Sequence, residues 1–111
     1  MLADNLKQVQ EQIASALDKR KNKDLLTGDN VTLVAVTKNH PPEIITNIEA
    51  LGIANVGENR VQEIQTKRPL GAYTGKPLHF IGHLQRNKVK YIIDKAALIH
   101  SVDSLRLAET I

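Results

Sequence analysis

The chain has 111 residues, enough for one domain with a modest hydrophobic core. Its 15 Lys and Arg against 12 Asp and Glu give a formal charge of +3, too small an excess to require a nucleic acid as partner. No cysteine occurs, which excludes disulfides and thiolate metal sites and fits the reducing cytoplasm. Because no apolar run approaches the ~18 residues of a membrane-spanning helix and no secretory signal begins the chain, we expect a cytoplasmic protein without a membrane partner.

The first predicted element is an amphipathic helix over residues 2–20. Its evidence is a set of apolar residues that recur every three or four positions, as on one face of a helix. These residues are Leu2, Leu6, Val9, Ile13 and Leu17. We therefore place one helix before the first strand.

Four strand–helix units are predicted over residues 31–111. The strands are expected at residues 31–37, 53–56, 78–82 and 97–102, each followed by apolar residues at helical spacing. The first strand is apolar without alternation, which is typical of a strand covered on both faces of a parallel sheet. Because helices separate successive strands, we expect the strands to pair in parallel.

This order of elements predicts the fold class. A closed (β/α)₈ barrel of the TIM type needs eight such units and typically ~250 residues. The chain therefore has the material of the N-terminal half of a barrel, and we expect residues 1–111 to form a single partial α/β-barrel domain. A small open parallel sheet of the flavodoxin type is the alternative.

Lys38 follows the first predicted strand directly and precedes the loop Asn39–Pro42. Catalytic groups of α/β barrels lie at the C-terminal ends of the strands, and a lysine in partly apolar surroundings there is suited to form a Schiff base with an aldehyde. The simpler alternative is that Lys38 is the first solvated residue after a strand.

Three further polar residues lie near the ends of later strands. Asn59 follows the second strand, His79 lies within the third and Ser101 is near the end of the fourth. All three would converge with Lys38 on one rim if the strands close. Asn59 has an alternative role as the N-cap of the next helix, with Gln62 completing a capping box. His79 has an alternative role as a hydrogen-bonded imidazole in the core.

The other histidines and the last predicted helix complete the candidate residues. His40, His83 and His100 have no spacing typical of a metal site, so we predict no metal. Asp103 is the expected N-cap of the last helix.

The segment Gln85–Tyr91 places cations beside an aromatic ring, a combination found in phosphate and nucleic-acid sites. Its position at the start of a predicted helix explains the same residues, with Val89 and Ile92 on the buried face. The whole chain has three aromatic residues, which leaves few platforms on which bases could stack. We therefore predict no nucleic-acid partner.

Four motifs in this order and spacing resemble the pyridoxal phosphate homeostasis family. They are Val34–Lys38, Gly57–Glu63, His79–Lys88 and Ser101–Ser104. The family's barrel is similar to the N-terminal domain of alanine racemase. The resemblance extends over nearly all of this chain but only over the N-terminal half of the family.

The resemblance implies a cofactor and a site. Family members carry pyridoxal 5′-phosphate (PLP) on the lysine after the first strand, which here is Lys38, and Asn59, His79 and Ser101 are the other expected cofactor-binding residues. Members are regarded as carriers or regulators of the intracellular PLP pool. We therefore expect a PLP-binding homeostasis protein that is not an enzyme and has no catalytic residues.

Two other functions remain open on the sequence. One is a PLP-dependent amino acid racemase-like enzyme, which would need a second acid/base opposite Lys38. Tyr73 lies in a Gly-rich loop, which is a poor place to fix such a base. The other is a truncated fragment without cofactor binding, because family members supply their phosphate site from the half that is absent here.

The predicted half barrel also has two unpaired edges, at its first and fourth strands. Unpaired strand edges and an uncovered apolar face favour association with another chain. Two hypotheses follow: two copies self-associate to cover these edges, or the chain is a fragment of a longer protein.

Overall fold

The computed structural model describes residues 2–20, 31–73 and 77–111. Helix α1 spans Leu2–Lys19, which confirms the helix predicted from the apolar spacing. The chain divides into two compact units, Met1–Thr32 and Leu33–Ile111, and the described strands belong to the second. The prediction of a single domain over the whole chain stays a prediction. Within the described ranges, none of the helices combines the length and the hydropathy needed to cross a bilayer.

The second unit is a four-stranded parallel sheet in which each strand is followed by a helix. The strands are β1 (Val34–Val36), β2 (Asn55–Glu58), β3 (Leu78–Phe80) and β4 (Leu98–Ile99). The helices are α2 (Pro42–Ala50), α3 (Val61–Lys67), α4 (Val89–Ile92) and α5 (Leu105–Thr110).

The strand order in the sheet is β1-β2-β3-β4, the same as the order in the chain. A flavodoxin-type sheet places its first strand between the second and the third. The observed order therefore excludes that alternative and confirms the predicted fold class, four parallel βα units arranged as in one half of a (β/α)₈ barrel.

Local sequence explains where the helices begin and end. Pro42 supplies the preset φ of the first turn of α2, and Gly52, with φ of +92°, follows its end. The side chain of Ser104 accepts a 3.1 Å hydrogen bond from the Leu107 N–H, so Ser104 is the N-cap of α5. The prediction of Asp103 as this cap is wrong, because the residue after it provides the oxygen that reaches the amide.

One face of the sheet is buried against the helices and forms the core. The most deeply buried residues of this core are at most 2 % exposed. They are Val56, Glu58, Leu78 and Phe80 on the strands, Thr37 directly after β1, and Ile45, Ile64, Ile92 and Leu107 on the helices. Because side chains alternate along a strand, these strand residues point to the same side.

The opposite face is open. The register places Val36 beside Gly57 and His79 beside Leu98, and Val36 and Leu98 are 45 % and 53 % exposed. The prediction that the first strand is covered on both faces is therefore wrong. In a closed barrel this face is covered by strands across the axis, which a four-stranded sheet does not have. The expected self-association, which would cover this face and the edge strands β1 and β4, stays a prediction that sedimentation velocity tests.

His79 links three strands on the open face. Its Nε2 lies 3.0 Å from Asn55 Oδ1 on β2, and its Nδ1 lies 2.8 Å from Nε2 of His100, directly after β4. Since the Asn55 oxygen accepts, the Nε2 of His79 carries the proton and its Nδ1 accepts from His100. Burial and the neighbouring charge of His100 hold the pKa of His79 below its usual value.

Gly82 allows the ends of β2 and β3 to approach closely. A Cβ atom at this position would lie 2.1 Å from the carbonyl oxygen of Asn59, a distance at which two atoms overlap. Only a residue without a side chain fits between the two strand ends.

We therefore expect Gly82→Ala to lower the free energy of unfolding by about 1–3 kcal/mol, because the strand ends must separate. Urea unfolding followed by circular dichroism measures this loss. Gly57→Ala is the control with a milder overlap: its Cβ would meet side-chain atoms, Val34 at 3.0 Å and Ile81 at 3.4 Å, and no backbone atom. An equal or larger loss in Gly57→Ala would contradict the role of Gly82.

The lowered pKa of His79 predicts that stability rises with pH below neutrality. Between this lowered pKa and the ordinary value of 6.5, the unfolded chain binds more protons than the folded chain. The contribution of His79 is therefore fully present above pH 6.5 and is lost as the pH falls through the lowered pKa. Urea unfolding at about pH 5.5 and about pH 7.5, on either side of the ordinary histidine pKa, measures this change. In His79→Gln, which does not titrate, the pH dependence should be weaker; an unchanged dependence would assign it to other groups.

Candidate functional site

Three of the four predicted site residues lie at the C-terminal edge of the sheet. Lys38 is exposed two residues after β1, Asn59 follows β2 directly and Ser101 comes two residues after β4. His79 lies within β3, and its hydrogen bonds run to Asn55 and His100. Those contacts match the alternative of a hydrogen-bonded imidazole, and the cofactor-binding role of His79 stays a prediction.

Asn59 and Ser101 meet at the backbone of Gly82. The hydroxyl of Ser101 donates a short hydrogen bond to the Gly82 carbonyl, while Gly82 packs against the carbonyl of Asn59. Lys38 is connected to the same edge through its neighbour Thr37, whose N–H donates to the Gly57 carbonyl at 3.0 Å. The ends of all four strands are thus tied into one edge.

Asn59 keeps an unused acceptor. Helix α3 begins at Val61, and its N-cap is Arg60, which makes no side-chain cap hydrogen bond. The prediction of Asn59 as the N-cap is therefore wrong, because the helix starts one residue too late for it. Its Oδ1 is buried and has no protein partner. A buried oxygen without a partner is costly, so this atom can accept a hydrogen bond from a bound molecule.

A polar cleft of about 570 Å³ adjoins Asn59 between the loops that follow β2 and β3. Its lining includes the cations Arg60 and Lys88 and the imidazole of His83, but no carboxylate. The volume is that of a small-molecule site, and the charges favour an anion. Among the residues that the structure describes, no group of three or more His, Asp or Glu could hold a metal ion.

A buried polar cluster lies behind Lys38 on the helix-facing side of the sheet. We call it the Glu58 cluster; it contains Thr37, Glu58, Glu63, Lys67 and Tyr73. The Glu58 carboxylate is completely buried, and its Oε2 accepts from Thr37 Oγ1 at 3.0 Å, from Lys67 Nζ at 2.8 Å and from the Tyr73 hydroxyl. A carboxylate is stable in the core only with such donors and a counter-charge.

The Glu58 cluster contacts the backbone on both sides of Lys38. Lys67 Nζ donates to the Thr37 carbonyl at 2.9 Å, and the Asn39 N–H donates to Glu63 Oε1 at 2.6 Å. Lys67 and Glu63 form an ion pair at 3.0 Å on successive turns of α3. The peptide groups that flank Lys38 are therefore held, while its side chain is exposed.

The pKa shifts in the cluster follow from these contacts. Burial raises the pKa of Glu63, but the hydrogen bonds from Asn39 and Lys67 and the charges of Lys67 and Arg60 outweigh it, so the pKa lies below its usual value. Burial raises the pKa of Tyr73, and the hydrogen bond to Glu58 and the negative charge of Glu58 raise it further. Tyr73 therefore stays protonated and donates its hydroxyl hydrogen to Glu58.

Sequence reasoning missed this cluster. The second strand was expected over residues 53–56, whereas β2 extends through Glu58. Tyr73 was expected to be poorly fixed, whereas it is 7 % exposed and hydrogen-bonded to Glu58. The signal for Glu58 was available, because Glu58 is two residues from Val56 and shares its buried face. Nothing local identified Lys67 or Tyr73 as partners of Glu58.

The Glu58–Lys67 pair predicts a large loss of stability when only one partner is removed. Lys67→Met leaves a buried carboxylate without its counter-charge and should lower the free energy of unfolding by about 3–5 kcal/mol. Adding Glu58→Gln should recover part of this loss, because a neutral amide needs no counter-charge. Urea unfolding of the two single variants and the double variant measures the coupling. Purely additive losses would contradict a direct interaction.

Comparison with known proteins gives a consistent set of relatives. No family model matches the chain. The pyridoxal phosphate homeostasis protein of Aquifex aeolicus is 44% identical over 85 residues, which are 76% of this chain and 37% of that protein. The protein of the same name from Escherichia coli K12 is 35% identical over 111 residues, 96% of this chain and 45% of that protein.

Solved structures agree with this result. PipY of Synechococcus elongatus, solved with PLP bound, is 38% identical, superimposes with a TM-score of 0.67 and is matched over 90% of this chain and 44% of its own. An unknown protein from Bifidobacterium adolescentis is 30% identical with a TM-score of 0.80, matched over 98% and 47% of the two chains. The chain spans less than half the length of these relatives. Over that length, it belongs to the pyridoxal phosphate homeostasis protein family.

Proposed function

We propose that this chain binds PLP as part of an intracellular PLP homeostasis protein, and that the cofactor is held as a Schiff base on Lys38. The observation that carries the proposal is the exposed Lys38 at the end of β1, with a buried cluster that holds both flanking peptide groups. Further support comes from the relatives named for PLP homeostasis and from PipY, which was solved with PLP bound.

The residues present fit such a cofactor. PLP supplies an aldehyde carbon that a lysine amine can attack. Lys38 offers that amine, and the unpartnered Oδ1 of Asn59 offers an acceptor on the next strand of the same edge. Ser101 and His79 already use their polar atoms on protein partners. We therefore propose direct contacts for Lys38 and Asn59 and a supporting role for Ser101 and His79.

We further propose that the protein carries PLP in the cytoplasm and catalyses no reaction of its own. A racemase-like enzyme would need a second acid/base opposite Lys38. Tyr73 is poorly suited to that role, because its hydroxyl donates to the buried carboxylate of Glu58 and its raised pKa opposes proton release. Incubating the PLP-loaded chain with L-alanine and measuring D-alanine tests the enzyme alternative. Formation of D-alanine that is lost in Lys38→Ala would support that alternative.

The central prediction concerns Lys38→Ala. Titration of the purified chain with PLP should give a saturable visible absorbance, and this absorbance should be lost in the variant with an unchanged far-UV circular dichroism spectrum. Borohydride reduction followed by peptide mass mapping should place the label on Lys38 in the unsubstituted chain.

Lys7→Ala is the matched control, since Lys7 is an exposed lysine of α1. It should retain the absorbance. Equal labelling of many lysines in Lys38→Ala and in the unsubstituted chain would refute the proposed site. That result would favour the alternative of a fragment without cofactor binding.

A further inference from the structure

We propose that Glu63 and Lys67 are positioning residues for Lys38, acting on the peptide groups before and after it. The inference rests on the proposed function of Lys38 and deepens it. In this proposal, one ion pair on α3 determines where the Lys38 amine lies at the edge of the sheet.

The turn that contains Lys38 has a backbone geometry that contacts on both sides hold in place. The Thr37 carbonyl accepts from the His40 N–H at 3.1 Å, which closes the turn, and from Lys67 Nζ at 2.9 Å. Asn39 has φ of +64°, a left-handed conformation that is unfavourable for most residues and more tolerated by asparagine. The 2.6 Å hydrogen bond from its N–H to Glu63 stabilises this conformation. The turn therefore depends on contacts with α3.

Both of these contacts with α3 come from one ion pair. Lys67 and Glu63 lie 3.0 Å apart at their charged atoms, and each also binds one side of the Lys38 turn. A lysine side chain has four flexible carbons, so a fixed Cα atom restricts the space that its amine can reach without fixing the amine itself. The α3 ion pair thus limits where the Lys38 amine can be.

Lys67 and Lys38 differ in how easily a carbonyl reagent can reach their amines. Lys67 is 5 % exposed, and its three ammonium hydrogens face the Thr37 carbonyl, Glu58 and Glu63. These three partners enclose the Lys67 nitrogen, so an aldehyde in solution cannot reach it without breaking their contacts. Lys38, in contrast, is exposed. The arrangement therefore directs a carbonyl reagent to Lys38 and keeps Lys67 in a structural role.

The test uses two substitutions of Glu63 that differ in one property. Glu63→Gln keeps an oxygen that can accept from the Asn39 N–H, whereas Glu63→Met removes it at similar length. The first readout needs no cofactor: amide hydrogen exchange at Asn39 should be about tenfold or more faster in Glu63→Met, as expected for the loss of one hydrogen bond to a charged group. In Glu63→Gln, a large part of the protection should remain.

The second readout is the share of borohydride-trapped PLP that is found on Lys38 among all lysines. We expect this share to fall severalfold in Glu63→Met and to recover in Glu63→Gln. Glu109→Met, which removes an exposed carboxylate on α5, is the control for lost negative charge and should leave both readouts unchanged. If Glu63→Met does not fold, Glu63→Ala replaces it, since water can then solvate Lys67.

The two proposals fail in different ways. Suppose that PLP labels Lys38 selectively in the unsubstituted chain and that Lys38 carries the same share of the label in Glu63→Met. The positioning role is then wrong and the proposed function stands. If exchange at Asn39 is unchanged in Glu63→Met, the positioning role is also wrong. If the unsubstituted chain shows no selective labelling of Lys38, the proposed function fails, whatever the exchange data show.

Discussion

The buried carboxylate of Glu58 is the constraint on which the C-terminal edge of the sheet depends. A carboxylate that is completely buried must be matched by donors and a counter-charge, and Lys67, Thr37 and Tyr73 provide them. These partners come from the residue directly after β1, from α3 and from the loop after α3, and all three donate to Oε2 of Glu58. Pairing one oxygen of this buried carboxylate therefore joins three separate segments of the chain, and the turn that contains Lys38 lies directly on that junction.

The two faces of the sheet differ in burial and in what they contribute to the structure. The helix-facing side contains the apolar core and the Glu58 cluster, so it supplies stability and holds the backbone near Lys38. The open side has exposed apolar residues such as Val36 and Leu98, together with the hydrogen bonds of His79 to its two neighbouring strands. The candidate site lies at the edge between these faces, where side chains can meet a small molecule while their backbone is fixed from behind.

The four strand–helix units are packed although the chain spans only part of the length of its relatives. It spans less than half of its relatives, yet each strand–helix unit has its own buried apolar residues, and the strand ends are joined through Gly82. In a (β/α) fold, successive units pack mainly on their neighbours, so four units retain the edge that carries Lys38 and Asn59. The relatives suggest the class of cofactor to test, and the geometry of this edge suggests the residues at which to test it.

The sequence by itself determined the order of elements, the parallel βα fold class and the placement of Lys38 after the first strand. These follow from local patterns: apolar spacing, proline and glycine at helix ends, and a cation after an apolar run. The resemblance to a known family added the expectation that the chain binds PLP. Helix caps were less predictable, because Asn59 and Asp103 are good capping residues by type and a shift of one residue decides between them and their neighbours.

Only the tertiary structure decided which distant side chains share a buried space. Glu58, Lys67 and Tyr73 are separated in the chain, and no periodicity relates them, but sheet register and helix packing bring their polar atoms within hydrogen-bond distance. The unused acceptor of Asn59 and the need for glycine at position 82 also arise from packing between strands. Local sequence encodes local conformation, whereas the satisfaction of a buried charge depends on where the whole fold places its partners.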